Sequence, residues 1–430
     1  MFKKHPKTLA FIFFAEMWER IGFYTLLAIL VLYMDKVLGW PDGRKGDVYG
    51  LFLAVCYFIP LLGGWIGDRW LGRRLTIKIG AVLMAAGYVG LTLSSPAQTT
   101  TFFLGLFLIG FGTGIFKVNM AVLVGNLYVK APELKDAAFN IYYMGVNIGA
   151  AIAPLLATYV SATYGSYNIS FGICGAGLVI ALIIFQSGNR KLAAVDFKVA
   201  PRTDAAAGTA APAGISGAPA GEDGQRIATL VILFFSVIFF WVAFYQNAFA
   251  LTLFAERSTR VFAWLRPETY QFFEPFFILA ATPLLLLLFG RLRAGGREPS
   301  TPVKIFFGLL IMAVSMVVMV AASLAGGNRD LPIMSPAWLI GTYFFVTLAE
   351  ILISPMGQSF VSKVAPPRLA GLMMGGWFAA TAAGSYGSGL LGKSYSAMPH
   401  HAFFLVLTGL LGLAAAMVLL FLKKLRRFAG

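Results

Sequence analysis

Residues 8–34 read TLAFIFFAEMWERIGFYTLLAILVLYM, an apolar run that contains the charged residues Glu16, Glu19 and Arg20. Its length suits one α-helical crossing of a bilayer, which takes about 20 apolar residues. Because a helix repeats every 3.6 residues, Glu16, Arg20 and Tyr24 lie on one stripe, with Glu19 beside it. A charge that faces lipid costs about 2.5 to 3.5 kcal/mol, so we expect these groups to be paired and to face a protein interior.

The rest of the chain is similarly apolar. Hydrophobic residues make up 59% of it and charged residues 12%, against roughly 25% charged in a soluble domain. This composition indicates a multi-spanning membrane protein. Twelve apolar stretches are predicted as spans: residues 8–34, 48–66, 75–94, 101–128, 136–160, 167–186, 227–253, 268–290, 302–324, 336–361, 368–391 and 401–422.

The net charge of +16 could suggest a nucleic-acid partner, but its distribution argues against one. Basic residues concentrate before the first span, after the even-numbered spans and at the C-terminal end. This positive-inside pattern predicts that both termini are cytoplasmic, in a bacterial inner membrane or another plasma membrane. The first span lacks a signal-peptide cleavage site and is predicted to be retained. Cys56 and Cys174 lie in predicted spans and indicate no disulfide framework.

The spans fall into two groups of six. Residues 1–186 and 227–430 are predicted as two six-helix bundles, and residues 187–226 as a flexible cytoplasmic linker. Within that linker, residues 205–221 contain no charge and no aromatic side chain, and such a composition cannot bury enough apolar area to fold. Two similar halves are typical of transporters that rock about a central site.

A short loop between the second and third spans carries a more specific pattern. Residues 64–74 read GWIGDRWLGRR, with glycines for a tight turn and an acid and bases at a helix junction. The segment resembles the loop signature of the major facilitator superfamily. The resemblance implies an all-α membrane protein with 12 transmembrane helices in two six-helix bundles.

Four further segments carry recognisable motifs. They are residues 16–24 (EMWERIGFY), 110–119 (GFGTGIFKVN), 143–147 (YMGVN) and 350–357 (EILISPMG), the last followed by Pro366, Arg368 and Trp377. In these segments the chain resembles the proton-dependent oligopeptide transporter (POT) family within that superfamily. The resemblance implies proton-driven import of di- and tripeptides through alternating access of a central cavity. The partners would be short peptides, protons and the lipid bilayer, without nucleic acid, and the chain would function as a monomer.

The resemblance also assigns roles to residues. Proton coupling would involve Glu16, Glu19, Arg20 and Glu350, to which we add Glu274, an acid that the family does not usually have. Substrate binding would involve Tyr24, Tyr57, Lys117, Asn147, Gln246, Glu274, Glu350, Ser354 and Trp377. Lys117 and Glu350 would pair across the bundles as a cytoplasmic gate until protonation of Glu350 releases Lys117 to a peptide carboxylate.

The charges in the spans support the same roles. Of the 18 acids, we place Glu16, Glu19, Glu274 and Glu350 in spans, with Arg20 and Lys117 as the only bases there. Burial raises a carboxyl pKa and an adjacent cation lowers it, so acids whose cationic partner comes and goes can carry protons. Structural ion pairing is the alternative. We take His5, His400 and His401 as terminal or loop residues, so carboxylates would be the proton carriers.

The chain departs from the family at several positions. A second basic residue is usual where this chain has Leu27, and an acid is usual where it has Tyr245. In the family these two positions form an outer gate pair. Losing both members is more coherent than losing one, because a lone survivor would be a buried unpaired charge. We infer an outer gate closed by aromatic and apolar packing. In addition, Val118 replaces a proline, and two extra helices common in bacterial members are absent.

Glu274 is a further departure, since an asparagine usually precedes this proline, Pro275. Three interpretations stay open. The acid of the C-terminal bundle has moved from the seventh span to the eighth, or Glu274 binds the substrate amino group, or it is a helix-end glutamate that reaches water.

Two alternative functions also stay open. The missing base at Leu27 could mark another small solute, such as nitrate or a metabolite, although Lys117, Glu350 and Asn147 suit a zwitterion better. A receptor or scaffold with the same fold would show no flux. The sequence shows no nucleotide-binding loop, metal cluster or nucleophile constellation, so we expect no enzyme, no catalytic or metal site, and no cofactor other than the coupling proton.

Overall fold

The computed structural model describes residues 5–129, 131, 134–196, 222–366 and 369–427, and 15 α-helices lie in these ranges. By their contacts, the residues form two compact units. Unit 1 is Met1–Ala200 with Val261–Pro275, and unit 2 is Pro201–Arg260 with Phe276–Gly430. The predicted linker falls largely on residues 197–221, which lie outside the described part of the chain.

Unit 1 contains the first seven helices. They are α1 Thr8–Lys36, α2 Asp42–Ile66, α3 Arg73–Thr92, α4 Thr99–Leu127, α5 Lys135–Tyr164, α6 Tyr167–Ser187 and the short α7 Asn189–Ala193. α1 packs against α5 and α6, and 21 of its 29 residues are buried. The charged residues of α1 are therefore held in the interior of the unit.

Glycines let α3 and α4 approach closely. A Cβ atom on Gly87 would lie 2.7 Å from the carbonyl oxygen of Gly105, and one on Gly112 would lie 2.7 Å from that of Gly80. Small residues at helix interfaces allow this backbone contact in membranes, where apolar burial drives helix association little. Gly105 and Gly112 thus belong to the packing surface for α3, whereas Gly110 and Gly114 face α2.

Unit 2 contains the remaining helices. They are α8 Asp223–Phe244, α9 Ala250–Arg257, α10 Phe273–Ala294, α11 Thr301–Ala325, α12 Pro336–Val364, α13 Ala370–Gly392, α14 His400–Leu420 and α15 Leu422–Arg427. The first three residues of α10 group with unit 1. The seventh span, predicted as continuous over residues 227–253, is instead interrupted by a 3₁₀ turn, Tyr245–Ala248, between α8 and α9.

Eleven spans in the described part of the chain are long and apolar enough to cross a membrane, with α8 and α9 counted as one. The remaining predicted span, the eleventh (residues 368–391), corresponds to α13, which is a 23-residue helix. Seven glycines lower the hydropathy of α13 and explain why it falls below the other spans. The predicted all-α membrane fold is confirmed.

One segment groups with the opposite unit from its neighbours in the chain. Residues Val261–Pro275 follow α9 and lead into α10, yet their contacts place them in unit 1. Within the segment, the 3₁₀ helix Pro267–Phe272 packs against α5 and α1. The second half of the sequence therefore contributes a segment to the first unit.

Candidate functional site

The three charges of α1 form a buried ion cluster. Arg20 Nε lies 3.2 Å from Glu16 Oε1 and also contacts the Glu19 carboxylate. All three side chains are at most 1% exposed. Glu16 and Arg20 meet because residues four apart share one helix face. The structure thus brings together the residues that the sequence analysis predicted to be paired and inward-facing.

Neighbouring helices add polar groups around this cluster. Lys117 on α4 lies within electrostatic range of Glu16, Glu19 and Arg20. Thr113, one turn earlier on α4, donates to Glu19 Oε1 at 3.4 Å. The two carboxylates and two cations of this group balance in charge when all are ionised. A proton or a substrate carboxylate that joins the group changes this balance.

The other predicted residues of unit 1 are half-buried. Tyr24 lies one turn after Arg20 and interacts with it electrostatically. Tyr57 lies on α2, directly after Cys56, whose thiol is close enough to Arg20, Glu19 and Lys117 to interact with them. Asn147 on α5 donates to the backbone carbonyl of Tyr143 at 3.1 Å in its own helix.

In unit 2, Gln246 fixes the break in the seventh span. It is fully buried, and its Nε2 donates to the carbonyl and the hydroxyl of Ser388 on α13, at 2.9 and 3.0 Å. On the other side, the Tyr343 hydroxyl of α12 donates to the Asn247 carbonyl at 2.9 Å. The Tyr343 bond satisfies a backbone carbonyl at the helix interruption, where a membrane offers no water, and the Gln246 bonds tie the 3₁₀ turn to α13. The Gln246-Asn247 pair inside an apolar run was the sequence signal for this break.

The remaining predicted residues of unit 2 lie on α12 and α13. Glu350 and Ser354 are both half-buried and stand one helical turn apart on α12. Trp377 of α13 is 1% exposed and rests on Gly357, where a Cβ atom would lie 2.0 Å from the indole ring. Gly357 thus makes room for the indole, which holds α12 and α13 together.

The loop signature forms a compact joint at the start of α3. Asp68 lies 2.5 Å from the Arg73 guanidinium, and Gly72 has a φ of +75°, which favours glycine. The Asp196 carboxylate accepts the backbone N–H groups of Arg73 and Arg74 at 3.0 and 3.3 Å, as an N-cap does, and also Arg74 Nε at 3.0 Å. Asp196 lies within the predicted linker, just after α7, and its cap was not predicted.

The structure adds an acid to those that the sequence analysis placed in spans. Glu268 lies in the candidate span Pro267–Ala294 and is fully buried. It is the first residue of the predicted eighth span. By the predicted bounds, Asp136, Lys78 and Lys304 also fall within spans, so the counts of four acids and two bases were too low. Glu274, six residues after Glu268, is half-buried near the start of α10.

Both sites of the missing outer pair are buried. Leu27 is 7% exposed, and its carbonyl accepts Gln271 Nε2 at 3.5 Å. Tyr245 is 5% exposed and stacks on Trp241, with 5.6 Å between the ring centroids. The expected aromatic packing is therefore present at Tyr245. At Leu27, the polar side chain of Gln271 also makes contact. Across the described ranges, no group of three or more His, Cys, Asp and Glu residues could hold a metal ion.

Sequence comparisons relate the chain to known transporters. The sequence profile of the POT family matches residues 74–203 and 213–405, and that of the MFS/sugar transport proteins matches residues 3–128. The peptide transporter YePEPT of Yersinia enterocolitica is 30% identical, over 90% of this chain and 88% of the relative. The dipeptide and tripeptide permease B of Xenorhabdus bovienii is 31% identical, over 88% of this chain and 85% of the relative.

Solved structures agree with the sequence comparisons. A crystal structure of a peptide transporter POT in complex with sulfate superposes with a TM-score of 0.88 at 26% identity, covering 100% of this chain and 97% of that one. A POT family transporter in complex with 5-aminolevulinic acid shares the fold, with a TM-score of 0.86 at 24% identity, over 99% and 98% of the two chains. The predicted superfamily fold is confirmed. The profile match and the relatives at 30% identity or above show that this chain belongs to the POT family of transporters.

Proposed function

We propose that this chain imports di- and tripeptides together with protons, by alternating access of a cavity between two helical bundles. The observation that carries the proposal is the solvent-excluded cluster of Glu16, Glu19 and Arg20, with Lys117 nearby, in a chain whose relatives are named as peptide transporters. Charges this deep in a membrane protein are costly to retain and typically mark ion or substrate pathways.

In the proposed cycle, the carboxylates carry the proton. An ionised Glu16 or Glu19 is stabilised by Arg20, and protonation of either one leaves Arg20 with a single carboxylate partner. The cluster would then have excess positive charge, which favours an incoming carboxylate. Proton binding and peptide binding would support each other in this way.

Lys117 and Glu350 would form the cytoplasmic gate. Their attraction would hold the inner ends of the bundles together until Glu350 is protonated. Lys117 would then be available to the peptide carboxylate. Asn147 or a glutamate would receive the peptide amino end, so that a zwitterion of short length is selected at both ends.

Other residues would shape the side-chain pockets. Tyr24, Tyr57 and Ser354 are half-buried and would offer mixed apolar and polar surfaces, and Gln246 and Trp377, which are buried in this structure, would reach the pocket once the halves move. A pocket of this kind accepts many side chains without demanding one. Glu274 would either carry a proton or bind the amino end. Unchanged proton-driven uptake by Glu274→Gln would rule out both roles.

The proposal includes the membrane arrangement. Both termini would lie in the cytoplasm, on the inner side of a bacterial plasma membrane, because basic residues concentrate on that side of the predicted spans. The domain layout would be residues 1–186 and 227–430 as helix bundles, with residues 187–226 as the linker. A monomer would contain the whole pathway.

The test is uptake of labelled dialanine into liposomes that contain the purified protein. We expect accumulation under an inward proton gradient, little uptake without one, and competition by tripeptides but not by nitrate. Absence of uptake for every di- and tripeptide would contradict the assignment of peptides as substrates. Competition by nitrate would favour another small solute as the substrate. A protein without any flux would fit the receptor alternative.

A variant pair separates coupling from transport. Glu350→Gln should keep counterflow exchange of dialanine yet lose accumulation against a gradient, because exchange needs no net proton transfer. Glu222→Gln, which changes an acid at the start of α8, is the matched control and should behave as wild type. Accumulation by Glu350→Gln at the wild-type level would remove this residue from the coupling mechanism.

A further inference from the structure

The 3₁₀ helix before α10 is fastened to α5 by side-chain contacts. The Ser161 hydroxyl donates to Glu268 Oε1, and the hydroxyls of Thr158 and Thr269 lie 2.7 Å apart. Ser161 and Thr158 are three residues apart on α5 and share one face of that helix. We call these four residues the outer clasp, since the helix topology places them at the external end of α5 when the termini are cytoplasmic.

The clasp is braced from within its own segment and from α1. The Arg266 backbone N–H donates to Thr269 Oγ1 at 2.9 Å, which fixes the turn, and Arg266 Nε lies 3.7 Å from Glu268 Oε1. Gln271 Nε2 donates to the Leu27 carbonyl at 3.5 Å. This bond reaches the very residue at which the family usually has a base. A polar contact from the same segment therefore lies at Leu27, one of the two positions of the missing charge pair.

The charge state of the clasp suits a reversible contact. Glu268 is fully buried, and its Oε2 has no hydrogen-bond partner among the residues that the structure describes. Its cationic neighbour Arg266 is 31% exposed and too distant for a direct hydrogen bond. A buried carboxylate that is incompletely satisfied makes the docked state less stable than full pairing would. The segment is thus held by specific contacts but not locked.

The position of the segment in the chain links the clasp to movement of one half against the other. Val261–Pro275 belongs to unit 1 by contact, whereas the residues before and after it belong to unit 2. Any rocking of one half against the other has to move this segment with one unit or release it. A contact that fastens it to α5 therefore bears on the equilibrium between conformations.

We propose that the outer clasp closes the external side of the transporter, and that Glu268 and Thr269 must leave α5 in each transport cycle. The clasp replaces the charged pair that is absent at Leu27 and Tyr245. Our inference of an outer gate made only of aromatic and apolar packing is thereby revised. This proposal rests on the proposed transport function.

A reversible cross-link tests the release step. In Thr158→Cys/Thr269→Cys the two new thiols replace hydroxyls that are in contact, a spacing that suits a disulfide. After reconstitution and oxidation, we expect dialanine uptake to fall at least tenfold and to return on reduction. The single variants Thr158→Cys and Thr269→Cys, treated identically, control for reaction of the native thiols.

Each result of this experiment decides the proposal. A disulfide that forms while uptake stays within twofold of the reduced protein shows that the clasp need not open, and overturns it. Failure of the disulfide to form in the folded, membrane-embedded protein shows that the contact is not held, and also overturns it. If the wild type transports no peptide, the proposed function is wrong, and the gating role of the clasp is rejected together with it. When the wild type and the reduced variant both carry peptide, only the oxidised sample bears on the clasp.

Hydrogen exchange tests the part played by Glu268 without new cysteines. In Glu268→Ala we expect the amides of residues 266–271 to exchange at least threefold faster than in wild type, because the segment loses its bond to Ser161. Glu268→Gln keeps an oxygen that can accept this bond, so its exchange should stay closer to wild type. Equal exchange in Glu268→Ala and wild type would contradict a fastening role for this carboxylate.

Discussion

Arg20 Nε lies 3.2 Å from Glu16 Oε1, and both side chains are excluded from solvent. Their separation in the chain is one helical turn, so the pair is set by the helix itself and not by distant packing. Removing one partner of a buried pair leaves an uncompensated charge and typically costs about 3 to 5 kcal/mol. The pair is therefore a sensitive place to perturb the protein.

Replacing Arg20 should abolish coupled transport. Arg20→Gln leaves Glu16 and Glu19 without their shared cation, so we expect proton-driven dialanine uptake to fall at least tenfold. Arg20→Lys keeps the charge but lacks the planar fork that reaches two carboxylates, and should retain partial uptake. Uptake in liposomes with matched protein content measures both. Wild-type uptake by Arg20→Gln would show that the cluster is structural.

Gly357 should tolerate no side chain. A Cβ atom there would meet the Trp377 ring at 2.0 Å, and forced overpacking costs about 1 to 3 kcal/mol. Gly357→Ala should therefore lower the melting temperature in detergent and reduce uptake. Gly341→Ala lies on the same helix, with no atom within 4 Å of the added Cβ, and should be neutral or slightly stabilising. Equal melting temperatures for the two variants would argue against the Gly357–Trp377 contact.

Asp196 should stabilise the start of α3. Its carboxylate accepts two backbone N–H groups of that helix, and loss of such a cap costs about 0.5 to 2 kcal/mol. We expect Asp196→Ala to melt at a lower temperature than wild type, with Asp196→Asn between them because an amide oxygen still accepts. Thermal unfolding followed by fluorescence compares the three proteins. A melting temperature for Asp196→Ala equal to that of wild type would mean that the cap adds no stability.

Glu298 gives a pH dependence outside the spans. Hydrogen bonds from Arg293 and Lys304, at 2.6 Å each, lower its pKa to about 2. A carboxylate with a lowered pKa in the folded state adds stability above its unfolded pKa, about 4.3, and loses it as the pH falls towards 2. Because the group is close to solvent, we expect no more than about 1 kcal/mol.

The variant Glu298→Gln measures this contribution. It should melt slightly below wild type at pH 7, and the difference should shrink as the pH falls below 4. In Arg293→Gln/Lys304→Gln, which lacks both cations, adding Glu298→Gln should change the melting temperature less. A difference that grows at low pH would contradict the sign that we derive.

The sequence predicted what depends on local pattern. The apolar runs predicted the spans, and the spacing of Glu16, Glu19 and Arg20 predicted their buried pairing, because helical periodicity alone sets both. The loop over residues 64–74 likewise predicted the joint before α3. Nearby residues decide each of these features.

Contacts between distant residues were not predictable in this way. Ser161 and Glu268 are 107 residues apart, and Asp196 caps a helix that begins 123 residues earlier. The break at Gln246 is held by Ser388, 142 residues later. No local pattern encodes such pairings. Two signals were nevertheless visible in the sequence: an acid within a predicted span, Glu268, and the polar pair Gln246-Asn247 within an apolar run.

The most direct test of the central claim is whether peptide carries protons across the membrane. Liposomes that contain the protein and an internal pH dye, with equal pH on both sides, receive external labelled dialanine. We expect the lumen to acidify as peptide enters, in proportion to uptake, and we expect no such acidification with Glu350→Gln. Peptide entry at the wild-type rate without any change in internal pH would contradict proton-coupled import by this chain.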